Sequence, residues 1–243
     1  MIRVFIDFDG TVSREDVGDA MFERFGPVRA PEAVGEYREG KISAVECFRR
    51  ECEACGEVAK SDLDSFLDHQ EIDPTFAPFL EFCRSREMDP VIVSDGMDYY
   101  IRRILLRNGL GDTRFFSNTL EFEARPGSLK VRLRSSFPFT DEACDRCAFC
   151  KRNHILTSSG DGDIIVYIGE GYSDRCPSGY ADVVFAKGEL LKYCRQEKIP
   201  CHEYADFDGI RRKMEMLLTG AGKRGLKVRR QAELARKEVY LGG

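Results

Sequence analysis

Short apolar runs and stretches of helical period alternate along this chain. Ile2-Arg3-Val4-Phe5-Ile6 is a mainly apolar run that predicts a buried strand over about residues 2–7. From Asp16 to about Leu67 the rhythm changes. Val17, Ala20, Met21 and Phe25 recur at helical spacing, as do Val45, Phe48, Leu63, Phe66 and Leu67. Gly26-Pro27 and Gly40 divide this stretch into separate helices. Pro74 opens another helix that runs to about Arg86, and Pro90-Val91-Ile92-Val93-Ser94 is a second buried strand. A helix follows from about Met97 to Asn108, closed by Gly109. Phe115 and Phe116 mark a short strand, and 120–124 and 129–133 flank Arg125-Pro126-Gly127-Ser128 as a hairpin. Residues 137–150 read as irregular. A helix from near Lys151 to Ser158 precedes strands at Asp163–Ile168 and Val183–Ala186.

Strands alternating with helices predict an α/β protein: a mainly parallel sheet with helices on both faces. The long helical stretch after the first strand reads as an inserted cap. The expected partition is a core of 1–14 and 74–217, a helical cap of 15–73 and a basic C-terminal tail of 218–243. The basic run 223–237 admits two readings, an anionic partner or a solvated, helical tail. A length of 243 residues suits one large domain or a core with a modest insert. The net charge of −5 argues against a nucleic-acid partner. No apolar run approaches the ~20 residues that span a bilayer, so no membrane partner is expected. The chain enters its first strand without a leader-like segment, which points to the cytoplasm. The ten cysteines are accordingly read as reduced thiols.

The candidate chemistry lies at the strand ends. Asp7-Phe8-Asp9-Gly10-Thr11 follows the first strand, Ser94-Asp95 ends the second, and Glu170 with Asp174 follows the third. Lys151 stands between the last two groups. In a parallel sheet these ends share one edge, where open α/β folds bind ligands. A nucleophilic carboxylate, a second acid, a hydroxyl and a lysine meet the needs of phosphoryl transfer through a covalent intermediate. Each residue also has a plain reading. Asp9-Gly10 suits a turn, Ser94 a strand end, Lys151 a solvated helix start, and Asp174 a helix N-cap before Cys176-Pro177.

Four segments in this order, Asp7-Phe8-Asp9-Gly10-Thr11, Val93-Ser94-Asp95-Gly96, Lys151 and Gly169-Glu170-Gly171-Tyr172-Ser173-Asp174, resemble the motifs of the haloacid dehalogenase superfamily of phosphatases. The likeness covers the chain to about residue 215. The insert after the first motif resembles the subgroup that contains phosphoserine phosphatase. The resemblance implies a Rossmann-like core and a Mg²⁺-dependent phosphomonoesterase acting on a small phosphorylated metabolite. It makes Asp7 the nucleophile, Asp9 the general acid and base, and Lys151 the charge-neutralising catalytic group. Thr11, Ser94, Asp95, Asp16 and Arg49 would contact or steady the phosphate and substrate, and Asp7, Asp9, Glu170 and Asp174 would form the metal site. It also admits a homodimer. A methionine-salvage-type phosphatase, a phosphoserine phosphatase-like enzyme or phosphotransferase, and a phosphometabolite-binding regulator with weak catalysis are the functions left open. The family pattern has aspartate where this chain has Glu170. Glutamate could ligate after a loop shift, Asp174 could take over, or metal affinity could fall. Cys144-x-x-Cys147-x-x-Cys150, with His154 beyond, has spacing that would admit a structural zinc.

Overall fold

The computed structural model describes residues 1–124, 126–142, 144, 146–160, 162–220 and 226–241. Its elements in chain order are β1 (Ile2–Ile6), α1 (Val17–Phe25), α2 (Arg29–Arg38), α3 (Ala44–Ala54), β2 (Glu57–Ala59), α4 (Lys60–Asp68), α5 (Phe76–Ser85), β3 (Asp89–Met97), α6 (Asp98–Arg107), β4 (Phe115–Ala124) and β5 (Lys130–Ser136). They continue with α7 (Lys151–Thr157), β6 (Ile164–Gly169), α8 (Arg175–Ser178), β7 (Val183–Ala186), α9 (Gly188–Gln196), β8 (His202–Glu203), α10 (Phe207–Leu218) and α11 (Arg230–Leu241). The mixed α/β class is as the sequence leads one to expect. The chain forms two compact units.

The first unit joins residues 1–12, 72–93 and 151–243. Its strands run β3-β1-β6-β7-β8, and the pairings of β1 with β3 and β6, β6 with β7, and β7 with β8 are parallel. Parallel strands are covered on both faces and so read as continuous apolar runs. Val4, Phe5, Ile6, Ile92, Val166, Ile168, Val184 and Phe185 are accordingly buried. Register places Ile6 opposite both Ile92 and Ile168, so β1 and β6 finish within a residue of each other while β3 runs on to Met97. Phe207 of α10 packs 4.8 Å from Phe76 and 5.2 Å from Phe79 of α5, centroid to centroid.

The C-terminal basic stretch is helical in α11, and it is anchored rather than only solvated. Arg229 Nη2 donates to the carbonyls of Ser178 (2.9 Å) and Gly179 (2.7 Å). Arg236 Nη1 donates to the Tyr180 carbonyl at 2.7 Å, and its Nη2 lies 3.2 Å from Asp182. Lys223, Arg224 and Gly225 of the basic run lie outside the described residues.

The second unit joins 13–71 to 94–150, a segment the sequence reading assigned to the core. Pairing explains the association: β5 binds β4 on one side and β2 of the insert on the other, both antiparallel. Helix caps fix the insert locally. The Asp16 carboxylate accepts from the Asp19 amide at 2.8 Å, and Ser43 Oγ accepts from the Glu46 amide at 3.2 Å. β4 runs unbroken from Phe115 to Ala124, where the pattern suggests two pieces, a short strand at 115–116 and a hairpin arm at 120–124. Its polar middle is paired or buried, and Asn118 Nδ2 donates to the Asp95 carbonyl at 2.7 Å. The hairpin turn holds Gly127 at φ +80°, the left-handed region that suits glycine, while Arg125 lies outside the described residues.

Candidate active site

Asp7 is the first residue beyond β1, and its amide still donates to the Ile168 carbonyl of β6 at 2.9 Å. The chain then turns tightly. The amides of Thr11 and Val12 both return to the Phe8 carbonyl, at 3.1 and 2.8 Å, with Gly10 at φ +65°. The turn fixes Asp7 and Asp9 at the strand end. Thr11 is buried in it, and its hydroxyl has no partner among the described residues.

Lys151 opens α7 and extends an almost fully buried side chain. Its Nζ donates to Asp7 Oδ1 at 2.7 Å, to Asp174 Oδ1 at 2.7 Å and to Ser173 Oγ at 2.9 Å. One ammonium therefore bridges two buried carboxylates, and neutral donors must make up what a single cation cannot supply. Asp174 is saturated. Its Oδ1 accepts from Lys151 and from the Tyr167 hydroxyl, and its Oδ2 accepts from the amides of Glu170 (2.8 Å) and Gly171 (2.9 Å). Burial opposes ionisation of Asp174, but Lys151 and these donors outweigh it and hold the carboxyl below its ordinary range. Burial, followed by Asp174, pushes the Tyr167 hydroxyl well up, so it stays a donor. Asp174 is thus committed to orienting Lys151 and the loop amides, which leaves the metal role expected of it without a free lone pair.

Glu170 differs. Its carboxylate receives no hydrogen bond among the described residues and lies against Gly10, where a Cβ would stand 2.5 Å from Oε1. Burial first, then Asp174, raises its pKa, while Lys187 acts in the opposite sense. No group of three or more His, Cys, Asp and Glu side chains gathers as a metal site among the described residues. The available donors are oxygens: Asp7, the main-chain carbonyl of Asp9 and the unpartnered carboxylate of Glu170. A hard cation that retains waters and takes one or two carboxylates fits this set.

The remaining expected residues lie in the second unit. Ser94 is fully buried near the end of β3, and its Oγ accepts from the Gly96 amide at 2.9 Å. Asp95 follows it, held through its carbonyl by Asn118. Asp16 caps α1. Arg49 lies on α3 with its guanidinium 6.0 Å from the Phe137 ring centroid, and it lines a cavity of about 630 Å³ with Glu121, Arg132 and Arg134. Glu51, two residues on and so on the opposite side of the helix, is buried. Burial first, then the charge of Asp19, pushes its carboxyl up to about 8. Cys144, Cys147 and Cys150 are free thiols, and Cys150 Sγ donates to Asp141 at 3.8 Å.

Sequence reasoning missed Tyr167, Ser173, Lys187 and Glu51. Ser173 lies inside the recognised Gly169–Asp174 segment and was within reach. Tyr167 reads as strand core, and Glu51 reads as an ordinary charge on a polar helix.

A parallel sheet thus delivers a carboxylate and a buried lysine to one strand end. Residues 2–195 match the family model described as Putative Phosphatase, and the chain belongs to that family. A 2-hydroxy-3-keto-5-methylthiopentenyl-1-phosphate phosphatase of Exiguobacterium sibiricum is 31% identical over 216 residues, covering 86% of this chain and 94% of that protein. The polyol phosphate phosphatase PYP1 of Saccharomyces cerevisiae is 25% identical, covering 89% and 94%. In fold, the chain is similar to a solved phosphoserine phosphatase bearing a phospho-aspartyl intermediate analogue. That match has a TM-score of 0.66 and 19% identity, covering 87% of this chain and 98% of the other. Among the described residues no helix is long and apolar enough to cross a membrane.

Proposed function

We propose that this phosphatase hydrolyses a small phosphomonoester through an aspartyl-phosphate on Asp7. The observation that carries the reading is the buried Lys151 bridge from Asp7 to Asp174. It sets the Lys151 ammonium 2.7 Å from Asp7 Oδ1, where a cation assists a carboxylate nucleophile. An Asp7 oxygen bonds to phosphorus as the ester P–O bond breaks, and Asp9 gives its proton to the departing alkoxide. Asp9 then takes a proton from water, whose oxygen attacks phosphorus, releasing phosphate and restoring Asp7. Lys151 neutralises charge on the nucleophile and the phosphoryl oxygens, and Ser94 with the Asp95 amide is assigned to a phosphate oxygen. Asp7, the Asp9 carbonyl and Glu170 would hold Mg²⁺, which when bound supplies charge neutralisation for the phosphoryl group.

Relatives named for a ketopentenyl phosphate and a polyol phosphate support an alcohol rich in hydroxyls as the leaving group, over phosphoserine. A panel of polyol phosphates, the ketopentenyl phosphate and phosphoserine, assayed with Mg²⁺, tests the order. Acid quenching should trap phosphate on the native protein and none on Asp7→Asn, with turnover down by at least about 10³-fold. Wild-type turnover by Asp7→Asn would sink the reading.

A further inference from the structure

Glu170 lies between two backbone positions that have no side chain. On one side is Gly10 at φ +65° and on the other Gly188 at φ +53°. A Cβ on Gly188 would come within 3.0 Å of Glu170 Oε2 and 3.2 Å of the Glu170 carbonyl oxygen. The Lys187–Leu190 turn also grips the Glu170 main chain, since the Leu190 amide donates to the Glu170 carbonyl at 2.8 Å and the Lys187 amide to the Gly169 carbonyl at 3.3 Å. The glutamate is therefore folded back over Gly10, next to Asp9, and occupies the volume that a side chain at 188 would take. An unpartnered carboxylate held in this manner is restrained from outside the loop that bears it.

We propose that Gly188 is a positioning residue for Glu170. Glycine at this position leaves room for the glutamate carboxylate to pack against Gly10 and act as an oxygen ligand to a divalent cation. The inference rests on the phosphatase reading for its purpose, but its test does not depend on turnover. The experiment is a double-substitution cycle on the full chain with Gly188→Ala and Glu170→Asp, read by calorimetric titration with Mg²⁺ and by the Mg²⁺-induced shift in melting temperature. In the Glu170 background, Gly188→Ala should weaken Mg²⁺ binding at least about 10-fold. In the Glu170→Asp background it should change binding less than about 2-fold, because the shorter side chain does not reach the new methyl. The left-handed strain of alanine and its approach to the Glu170 carbonyl are common to both backgrounds and cancel in the cycle. If Gly188→Ala does not fold, Gly188→Asn, which tolerates positive φ but carries a Cβ, takes its place with the same expectation. Equal weakening in both backgrounds, no weakening in either, or no Mg²⁺ binding by the native chain would overturn the proposal. Loss of Asp7-dependent hydrolysis with the coupling intact would instead count against the reaction alone.

Discussion

At the residue scale, the site depends on matched burial. Lys151, Asp7 and Asp174 have almost no exposed side-chain surface, so removing Lys151 leaves two buried carboxylates without the ammonium that opposes their charge. Breaking a buried pair costs about 3–5 kcal/mol, more than the pair itself contributes, because an unpaired charge stays behind. Lys151→Met should therefore destabilise the protein by that order and abolish turnover, as read by thermal melts and by phosphate release. Lys151→Met combined with Asp174→Asn should recover part of the stability, since the second change removes one stranded charge, yet recover no activity. Recovery of activity would show that Lys151 acts only as scaffolding. The motif spacing made Asp7, Asp9, Lys151 and Glu170 legible. It did not show that Asp174 is saturated, since a carboxylate's hydrogen-bond partners depend on how the loop closes around it. Tyr167 and the amides of Glu170 and Gly171 were invisible as partners for that reason.

At the element scale, helix α3 shows how about half a turn of phase changes a functional reading. Arg49 and Glu51 are two positions apart, so they face different surroundings. The sequence offered Arg49 as the substrate contact, but the inward carboxyl is Glu51, between Cys47 and Asp19. Helical period alone could not assign the inward face, because Glu51 breaks the apolar stripe that identifies it. Its raised pKa has a thermodynamic consequence. The folded chain keeps the Glu51 proton from its ordinary 4.5 up to about 8, whereas the unfolded chain releases it near 4.5. This contribution is complete below pH 4.5 and is lost as pH rises through about 8, at up to about 1.36 kcal/mol per pH unit. Glu51→Gln should melt with the native chain near pH 4.5, exceed it above pH 8, and flatten the slope between. Parallel melting curves across that window would remove Glu51 as the source.

At the scale of the whole chain, the parallel strands were legible because continuous apolar runs have few other uses, and β7 appears over the residues the pattern gives. The short strands β2 and β8 were not, since two or three residues carry no period and exist through pairing with β5 and β7. The C-terminal basic run was equally opaque. Charge patterning cannot separate an arginine bound for solvent from one bound for a buried acid. In the first unit that acid is Asp182, whose side chain is inaccessible to solvent. Asp182 Oδ2 accepts from the Ile165 amide at 2.9 Å and Oδ1 from the Arg229 amide at 2.8 Å, while Arg236 supplies the opposing charge. The tail thus ties β6 to the 178–182 connection that follows the Asp174 loop. Arg236→Ala should cost roughly 2–3 kcal/mol, less than a fully stranded charge because two amides still bind Asp182. For a chain of this size that corresponds to roughly 4–12 °C in melting temperature. Asp182→Asn in the Arg236→Ala background should restore part of the loss, because asparagine keeps an acceptor for one of the two amides without a charge to neutralise. An unchanged melting temperature for Arg236→Ala would mean that α11 contributes little to the unit. Full destabilisation persisting in the double variant would place the effect in the lost Tyr180 carbonyl contact rather than in the buried charge.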